Sequence, residues 1–341
     1  MASMPQPPRK TANPAPPRPA GSLRRTSSLD VEWPDGRRGT RRMHGRARDY
    51  RTNANGAGTV LAEATMTADL DPQRMIIAIS AEALCGPVAP ANITTLIGKR
   101  GGGHLRMAIQ ELMPELIAQT APLYLALDDI SGTSLISSWA WSLWDPDWLA
   151  KMREQVPERQ SANMMQEMMN VCWGLAEGNS GLNPDAASMS QPAADGGELR
   201  NPADPDGWHR FPEIAGVSFR RARRIDLWRE GGLIHIDAAF QDSAPREDGT
   251  RAALHEYRIA ATADAETLEL LTLEPEGRVL PFFECPGAIA NARALVGSSL
   301  DQMRATVLGN LRGTAGCTHL NDALRALADV PQLAKVMAEA A

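Results

Sequence analysis

Two imidazoles and two thiols are the side chains of this sequence best suited to chemistry, and all four lie in its second half. His255 opens the run His255-Glu256-Tyr257, Cys285 precedes an apolar stretch of helical spacing, and Cys317 and His319 are separated only by Thr318. Thiolate and imidazole are ligands for zinc or ferrous iron, so His255, Cys285, Cys317 and His319 form a candidate metal set. A one-residue spacing lets Cys317 and His319 face one site from an extended turn but not from within a helix. Cys285, placed before a helix, has its thiolate favoured by the helix dipole. The same residues allow a metal-free alternative, with Cys285 or Cys317 as nucleophile and His255 or His319 as base. Glu256, Asp322 and Asp242 are available to orient an imidazole or to move protons. Spacing alone does not choose between the two versions, and the motif carries neither a Cys-x-x-Cys pair nor a His-Glu-x-x-His helix.

The elements that must bring these groups together follow an internal repeat. Arg24-Arg25, Leu29-Asp30, Arg48-Asp49 and Thr67-Ala68-Asp69 recur in order as Arg220-Arg221, Ile225-Asp226, Gln241-Asp242 and Thr262-Ala263-Asp264. Cys85 with Leu96-Ile97-Gly98 parallels Cys285 with Leu295-Val296-Gly297. A duplication explains the shared order. In the second copy Ile225–Trp228, Leu233–Phe240, Leu254–Ala261 and Leu268–Leu273 read as a four-strand antiparallel meander, turned first at Glu230-Gly231-Gly232. Spacings of three and four then mark helices through Ala288, Ala292 and Leu295, through Met303, Val307 and Leu311, and through Leu320, Leu324 and Leu327. The fold class is therefore α+β, a meander followed by helices used twice. In the first copy, Val60 stands at about the place of His255, and Ala121-Pro122-Leu123 at the place of Cys317-Thr318-His319, so the working site belongs to the second copy.

Between the copies, 135–178 carries Trp139, Trp141, Trp144, Trp148 and Trp173, with helix starts expected at Asp145-Pro146 and Ser161. Met164, Met165, Met168 and Met169 follow the second start. Packed core or a homodimer contact is the plainer meaning of these residues. Trp139, Trp173, Met168 and Tyr257 also suit a pocket for a hydrophobic small molecule. The expected division is a Pro-rich disordered tail over 1–21, a first α+β unit over 22–134, the helical segment over 135–178, a linker or lid over 179–212, a second unit over 213–332 and a tail over 333–341. Gly98-Lys99-Arg100-Gly101-Gly102-Gly103-His104 reads as a flexible turn, and Asp128-Asp129, after a strand-like run Leu123–Leu127, as a solvated turn or a weak Mg²⁺ pair.

Composition bounds the partners. The net charge of −6 is uneven: residues 1–51 hold twelve Lys/Arg against four Asp/Glu, leaving 23 against 37 elsewhere. An acidic body disfavours nucleic acid as the main ligand. Four cysteines in 341 residues and the lack of a long apolar run point to a soluble, cytoplasmic chain without a membrane span.

The string Cys285-Pro286-Gly287-Ala288, Leu295-Val296-Gly297, Gly316-Cys317-Thr318-His319-Leu320-Asn321-Asp322 resembles a bacterial family catalogued as domain of unknown function number 2889. The resemblance takes in Leu127-Asp128-Asp129, Val171-Cys172-Trp173-Gly174 and His255-Glu256-Tyr257, and so most of the chain after about residue 22. It implies a built site but no reaction. A fainter likeness is to NifU- and SufE-type iron–sulfur scaffolds, which surround one metal or sulfur site. Here His255 stands where a cysteine is expected, and Cys317-Thr318-His319 replaces an adjacent His-Cys pair. The leading expectation is an enzyme, hydrolase or lyase, whose Zn²⁺ or Fe²⁺ acts on a hydrophobic aryl or acyl substrate. The alternatives are a metal- or sulfur-handling accessory protein and a small-molecule binding module.

Overall fold

A computed structural model describes residues 10–145, 147–148, 151, 166–182 and 193–339. Four strands of each half join into one antiparallel sheet. In the first half they are β1 (Ser22–Glu32), β2 (Arg41–Thr52), β3 (Gly58–Leu70) and β4 (Ile76–Cys85). A short β5 (Ala194–Asp195) precedes β6 (Ser218–Glu230), β7 (Leu233–Pro245), β8 (Arg251–Asp264) and β9 (Leu270–Val279). The order is β4-β3-β2-β1-β6-β7-β8, with β5 and β9 both paired to β8. The two meanders meet along β1 and β6, whose antiparallel register runs from Ser22↔Trp228 to Glu32↔Ser218.

Each meander is followed by helices. The first half gives α1 (Gly103–Leu112), α2 (Pro114–Ala118) and α3 (Leu123–Ile136). The second gives α4 (Gly287–Ala292), α5 (Met303–Asn310), α6 (Thr318–Ala326) and α7 (Val330–Glu339). Helix α3 packs on β1, β2 and β3, α6 on β7 and β8, and α7 on β1 and β6, so these three cover one face.

The duplication shows in side chains as well as in strand order. Arg24 donates to Asp226 at 2.5 Å, and Arg220 donates to Asp30 at 2.5 Å, a reciprocal pair across the β1/β6 seam. Arg25 forks onto Asp49 on β2, and Arg221 forks onto Asp242 on β7. These central strands are buried on both sides, and β1 is buried over ten of its eleven residues. Their charged residues are tolerated because they are paired, as Arg24 with Asp226, Arg25 with Asp49, Arg220 with Asp30 and Arg221 with Asp242. The strands of the second half are accordingly longer than the apolar runs predict.

Four expectations change with the structure. The run Leu123–Leu127 opens helix α3 and is not a strand; all five residues are buried, so the run shows no periodic stripe. Gly101-Gly102-Gly103 is not a free turn but leads into α1. Residues 10–21, expected within the disordered tail, lie on the sheet's second face: Ala15 N donates to Leu199 O at 3.1 Å and Arg18 pairs with Asp204 at 2.6 Å. Residues 193–212, expected as linker or lid, form a strap over the same face, burying Leu199, Trp208 and His209. The hairpin turn at Gly231-Gly232 is found as expected, with both φ angles positive (58° and 81°).

Around Trp139, the stretch Ser137–Leu143 is a 3₁₀ helix against β6 and β7. Pro146, the Ser161 cap and Met164 and Met165 lie outside the described residues.

Candidate functional site

Alternation along a strand decides which residues can share a site. On β7 and β8 the register sets Phe240 against Tyr257, Gln241 against Glu256 and Asp242 against His255. Phe240, Asp242, His255 and Tyr257 thus point to the helix-covered face, and Glu256 to the other. There Glu256 accepts from Gln241 Nε2 at 2.7 Å and from the backbone N–H of Ala12. Glu256 is therefore not beside the imidazoles, contrary to the expectation drawn from its adjacency to His255.

Helix α6 brings the second imidazole. Cys317 is its extended N-cap residue, and His319 sits in the first turn with its ring over His255, centroids 3.7 Å apart and planes 19° apart. Both imidazoles reach one carboxylate oxygen: Asp242 Oδ2 lies 3.4 Å from His255 Nδ1 and 3.5 Å from His319 Nε2. One potential ligand atom from each of the three residues falls within a mutual 4.8 Å, the one such cluster among the described residues. The Asp242 and His255 side chains are at most 5% exposed, whereas that of His319 is 18% exposed and gives the cluster its solvent-facing edge.

Electrostatics keep the cluster ready to donate electron pairs. The Arg221 guanidinium holds Asp242 at 2.8 and 2.9 Å and, outweighing burial, draws its carboxyl far below the usual range. Burial and the neighbouring His255 push the His319 pKa well below its ordinary value, against the pull of Asp242, so the ring is neutral near pH 7.

The two cysteines flank this cluster rather than complete it. Tyr257 Oη donates to Cys317 Sγ at 3.3 Å, and Cys317 Sγ lies 4.0 Å from His319 Nδ1. Cys285 stands further along, against Gly174 and next to Phe282. Burial pushes the Cys317 thiol up to about 11 and the Cys285 thiol up to about 12. The expected dipole-activated thiolate at Cys285 is thus corrected: α4 is short, and desolvation outweighs it. Cys85 is no counterpart of Cys285 either, since it ends β4 opposite Glu63 and is exposed.

Of the expected pocket residues, Tyr257 is fully buried and Met168 is 45% exposed. Trp173 is half-buried, its ring packed over Gly287, where an added Cβ would fall 2.4 Å from the indole. Its backbone N–H donates to Gly316 O at 2.8 Å, which ties this stretch to the turn before Cys317. Trp139 packs against the core from the 3₁₀ segment.

Asp322 belongs to a buried ion network behind the cluster. It accepts from Arg325 at 2.6 Å and Arg106 at 3.2 Å and lies 3.4 Å from Arg221. Arg223 pairs with Asp129, and Arg106 and Arg325 pair with Asp128. Counting Asp242, onto which Arg221 forks, four arginines face four aspartates, so the formal charges balance. With four guanidiniums, Arg325, Arg106, Arg223 and Arg221, holding its carboxyl far below the usual range despite burial, Asp322 is an anchor rather than a proton carrier. At Asp129 burial outweighs Arg223 and Arg221, and the carboxyl rises to about 6.

Residue reasoning missed Arg221 and Asp129 as parts of the site. In the sequence Arg220-Arg221 marks only the repeat, and Asp128-Asp129 reads as a solvated turn or a weak Mg²⁺ pair. The available signal was two adjacent acids inside an otherwise apolar run.

Residues 219–332 match the family model described as protein of unknown function (DUF2889). Over this segment the chain is similar to that family. The match is narrower than the resemblance read from the sequence, which took in most of the chain. No curated protein and no solved structure matches. The DUF2889 segment contains Arg221, Asp242, His255, Cys285, Cys317 and His319, but not α3.

Proposed function

We propose that the protein binds one divalent transition metal through Asp242, His255 and His319 and uses it as an enzyme of the hydrolase or lyase kind. The observation that carries this reading is the spacing of the donors. Metal–nitrogen and metal–oxygen bonds of about 2.0–2.2 Å place neighbouring donors of a tetrahedral centre about 3.3–3.6 Å apart. Asp242 Oδ2 stands 3.4 and 3.5 Å from the two imidazole nitrogens. Two histidines and a carboxylate suit Zn²⁺ or Fe²⁺. Three protein donors leave a coordination position for water or substrate, which separates a catalytic centre from a sealed four-ligand structural one.

A cation held there lowers the pKa of bound water towards about 7 or polarises a carbonyl. The neighbouring Trp173, Leu175 and Phe282 form an apolar wall beside Cys285, which favours an aryl or acyl substrate over a highly charged one. With both thiols protonated near neutral pH, the reading does without a cysteine nucleophile.

The test is metal analysis of the chain purified without a histidine tag, followed by titration of metal-free protein with Zn²⁺ and Co²⁺. About one equivalent per chain, lost in His255→Ala and in His319→Ala, is expected. Failure of the intact chain to bind either ion abandons the reading.

A further inference from the structure

We infer that helix α3 of the first half is part of the second half's site, with Asp129 and Gly132 as positioning residues that act through Arg221. The inference rests on the metal reading only for its first readout.

Arg221 is the residue that orients Asp242. Its Nε and Nη2 occupy both carboxylate oxygens, while its Nη1 points away from Asp242 to Asp129 Oδ1 at 3.7 Å and Asp322 Oδ2 at 3.4 Å. The guanidinium is therefore fixed from two sides, by the candidate ligand on β7 and by acids on α3 and α6. Its side chain has no solvent exposure.

Helix α3 is shaped to admit it. Gly132 lies inside this 14-residue helix, where glycine costs about 1 kcal/mol relative to alanine. A Cβ there would fall 2.0 Å from Arg221 Nη1 and 3.0 Å from its Cζ. Any side chain at 132 would drive the guanidinium out of its place. The missing side chain and the facing carboxylate act together: one clears the space, and the other supplies the charge that fills it.

The pseudo-symmetry supplies an internal control. In the first half Arg25 forks onto Asp49 and donates to Asp329 Oδ2 at 2.6 Å, a related arrangement with the halves exchanged, though closer than the 3.7 Å between Arg221 and Asp129, whose hydrogen-bonded partner is Arg223. Asp129 and Asp329 are 1% and 2% exposed. Asp49, however, faces Ala62 rather than a histidine. Asp129→Asn and Asp329→Asn each remove a buried carboxylate set between two guanidiniums, Arg223 and Arg221 in one case and Arg25 and Arg304 in the other, but only the first is wired to the imidazole pair.

The experiment compares Zn²⁺ affinity of the full-length wild type, Asp129→Asn and Asp329→Asn. Partners that orient metal ligands are worth about 10–100-fold in affinity. A loss of at least about tenfold in Asp129→Asn, with Asp329→Asn close to wild type, is expected. Equal effects in both, or none in either, overturn the inference. If Asp129→Asn does not fold, Gly132→Ala, which leaves every charge in place, is compared with Asp329→Asn under the same criteria. If the wild type binds no metal, the function proposed above falls, and the imidazole chemical shifts of His255 and His319 in metal-free protein take over as the readout. Shifts moved by Asp129→Asn but not by Asp329→Asn sustain the positioning role, and shifts moved by neither overturn it.

Discussion

Ala62 faces Asp49 on β3 in the register place that His255 holds facing Asp242 on β8. In both meanders the register slips one residue immediately after this pair, at Asp49/Tyr50 and at Asp242/Ser243. The counterpart of His255 is therefore Ala62 and not Val60, the residue expected from sequence. The slip sets Val60 opposite Tyr50 and leaves it exposed, whereas Ala62 is buried opposite Asp49; both are apolar, so the contrast with an imidazole survives the correction. The first half demonstrates that this fold accepts a methyl group at the position. His255→Ala is accordingly expected to fold, with a stability loss of no more than about 2 kcal/mol. Urea unfolding checks this part, and Zn²⁺ titration should show binding abolished.

The pair behind the histidine behaves differently. Arg221 and Asp242 are both at 0% side-chain exposure, and it is chiefly Arg221 that, against burial, holds Asp242 far below the usual carboxylate range. Removing one partner of a buried pair leaves an uncompensated charge and costs about 3–5 kcal/mol. Arg221→Met is expected to lose that amount in urea unfolding at pH 7. The double variant Arg221→Met with Asp242→Leu should recover most of it. A single variant as stable as wild type would mean that water reaches Asp242.

How far the sequence reveals this arrangement depends on the residue. The meanders, the Gly231-Gly232 turn and α4 to α6 are legible because alternation and three-four spacing report one-sided burial directly. His255 and His319 are legible as reactive types, and Asp242 as an available acid. Their grouping without Cys285 is not, because it depends on the tilt of α6 over β7 and β8. The roles of Arg221 and Asp129 are hidden for a related reason. A charged residue ordinarily signals solvent, and only the seam between two halves, 92 residues apart at this pair, turns both into interior groups.

His209 carries a pH dependence of its own. It is 1% exposed on the face opposite the candidate site, with Thr26 Oγ1 and Ser28 Oγ each 2.9 Å from a ring nitrogen. Burial, then Arg48, Arg46, Arg220 and Arg200, hold its pKa well below the ordinary value of 6.5. The unfolded chain thus takes up a proton first as the pH falls through about 6.5, and the folded state loses stability there. Above that pH the contribution is intact. Asp129, raised to about 6, has the opposite sign, since its protonation favours the folded state as the pH falls towards 4. It is common to wild type and His209→Gln and cancels in their comparison. Between pH 7 and 5 the wild type should therefore lose more unfolding free energy than His209→Gln, measured by urea titration at each pH. Equal losses would show that the imidazole is not held neutral by the strap.

Thiol reactivity separates the two chemical versions of the site. Cys85 is exposed at the end of β4, Cys172 is half-buried, and Cys285 and Cys317 are buried. The attacking species in disulfide exchange is the thiolate, so reactivity follows both access and pKa. With Cys285 pushed up to about 12, only on the order of one part in ten thousand is thiolate at pH 8. Cys317, at about 11, gains little, because the Tyr257 hydroxyl that favours its thiolate is outweighed by burial. A chromogenic disulfide reagent at pH 8 is expected to show one fast thiol per folded chain, removed by Cys85→Ser, with Cys285 and Cys317 reacting only after unfolding. A fast phase that survives Cys85→Ser and disappears in Cys285→Ser or Cys317→Ser would restore a cysteine nucleophile and displace the metal-centred reading.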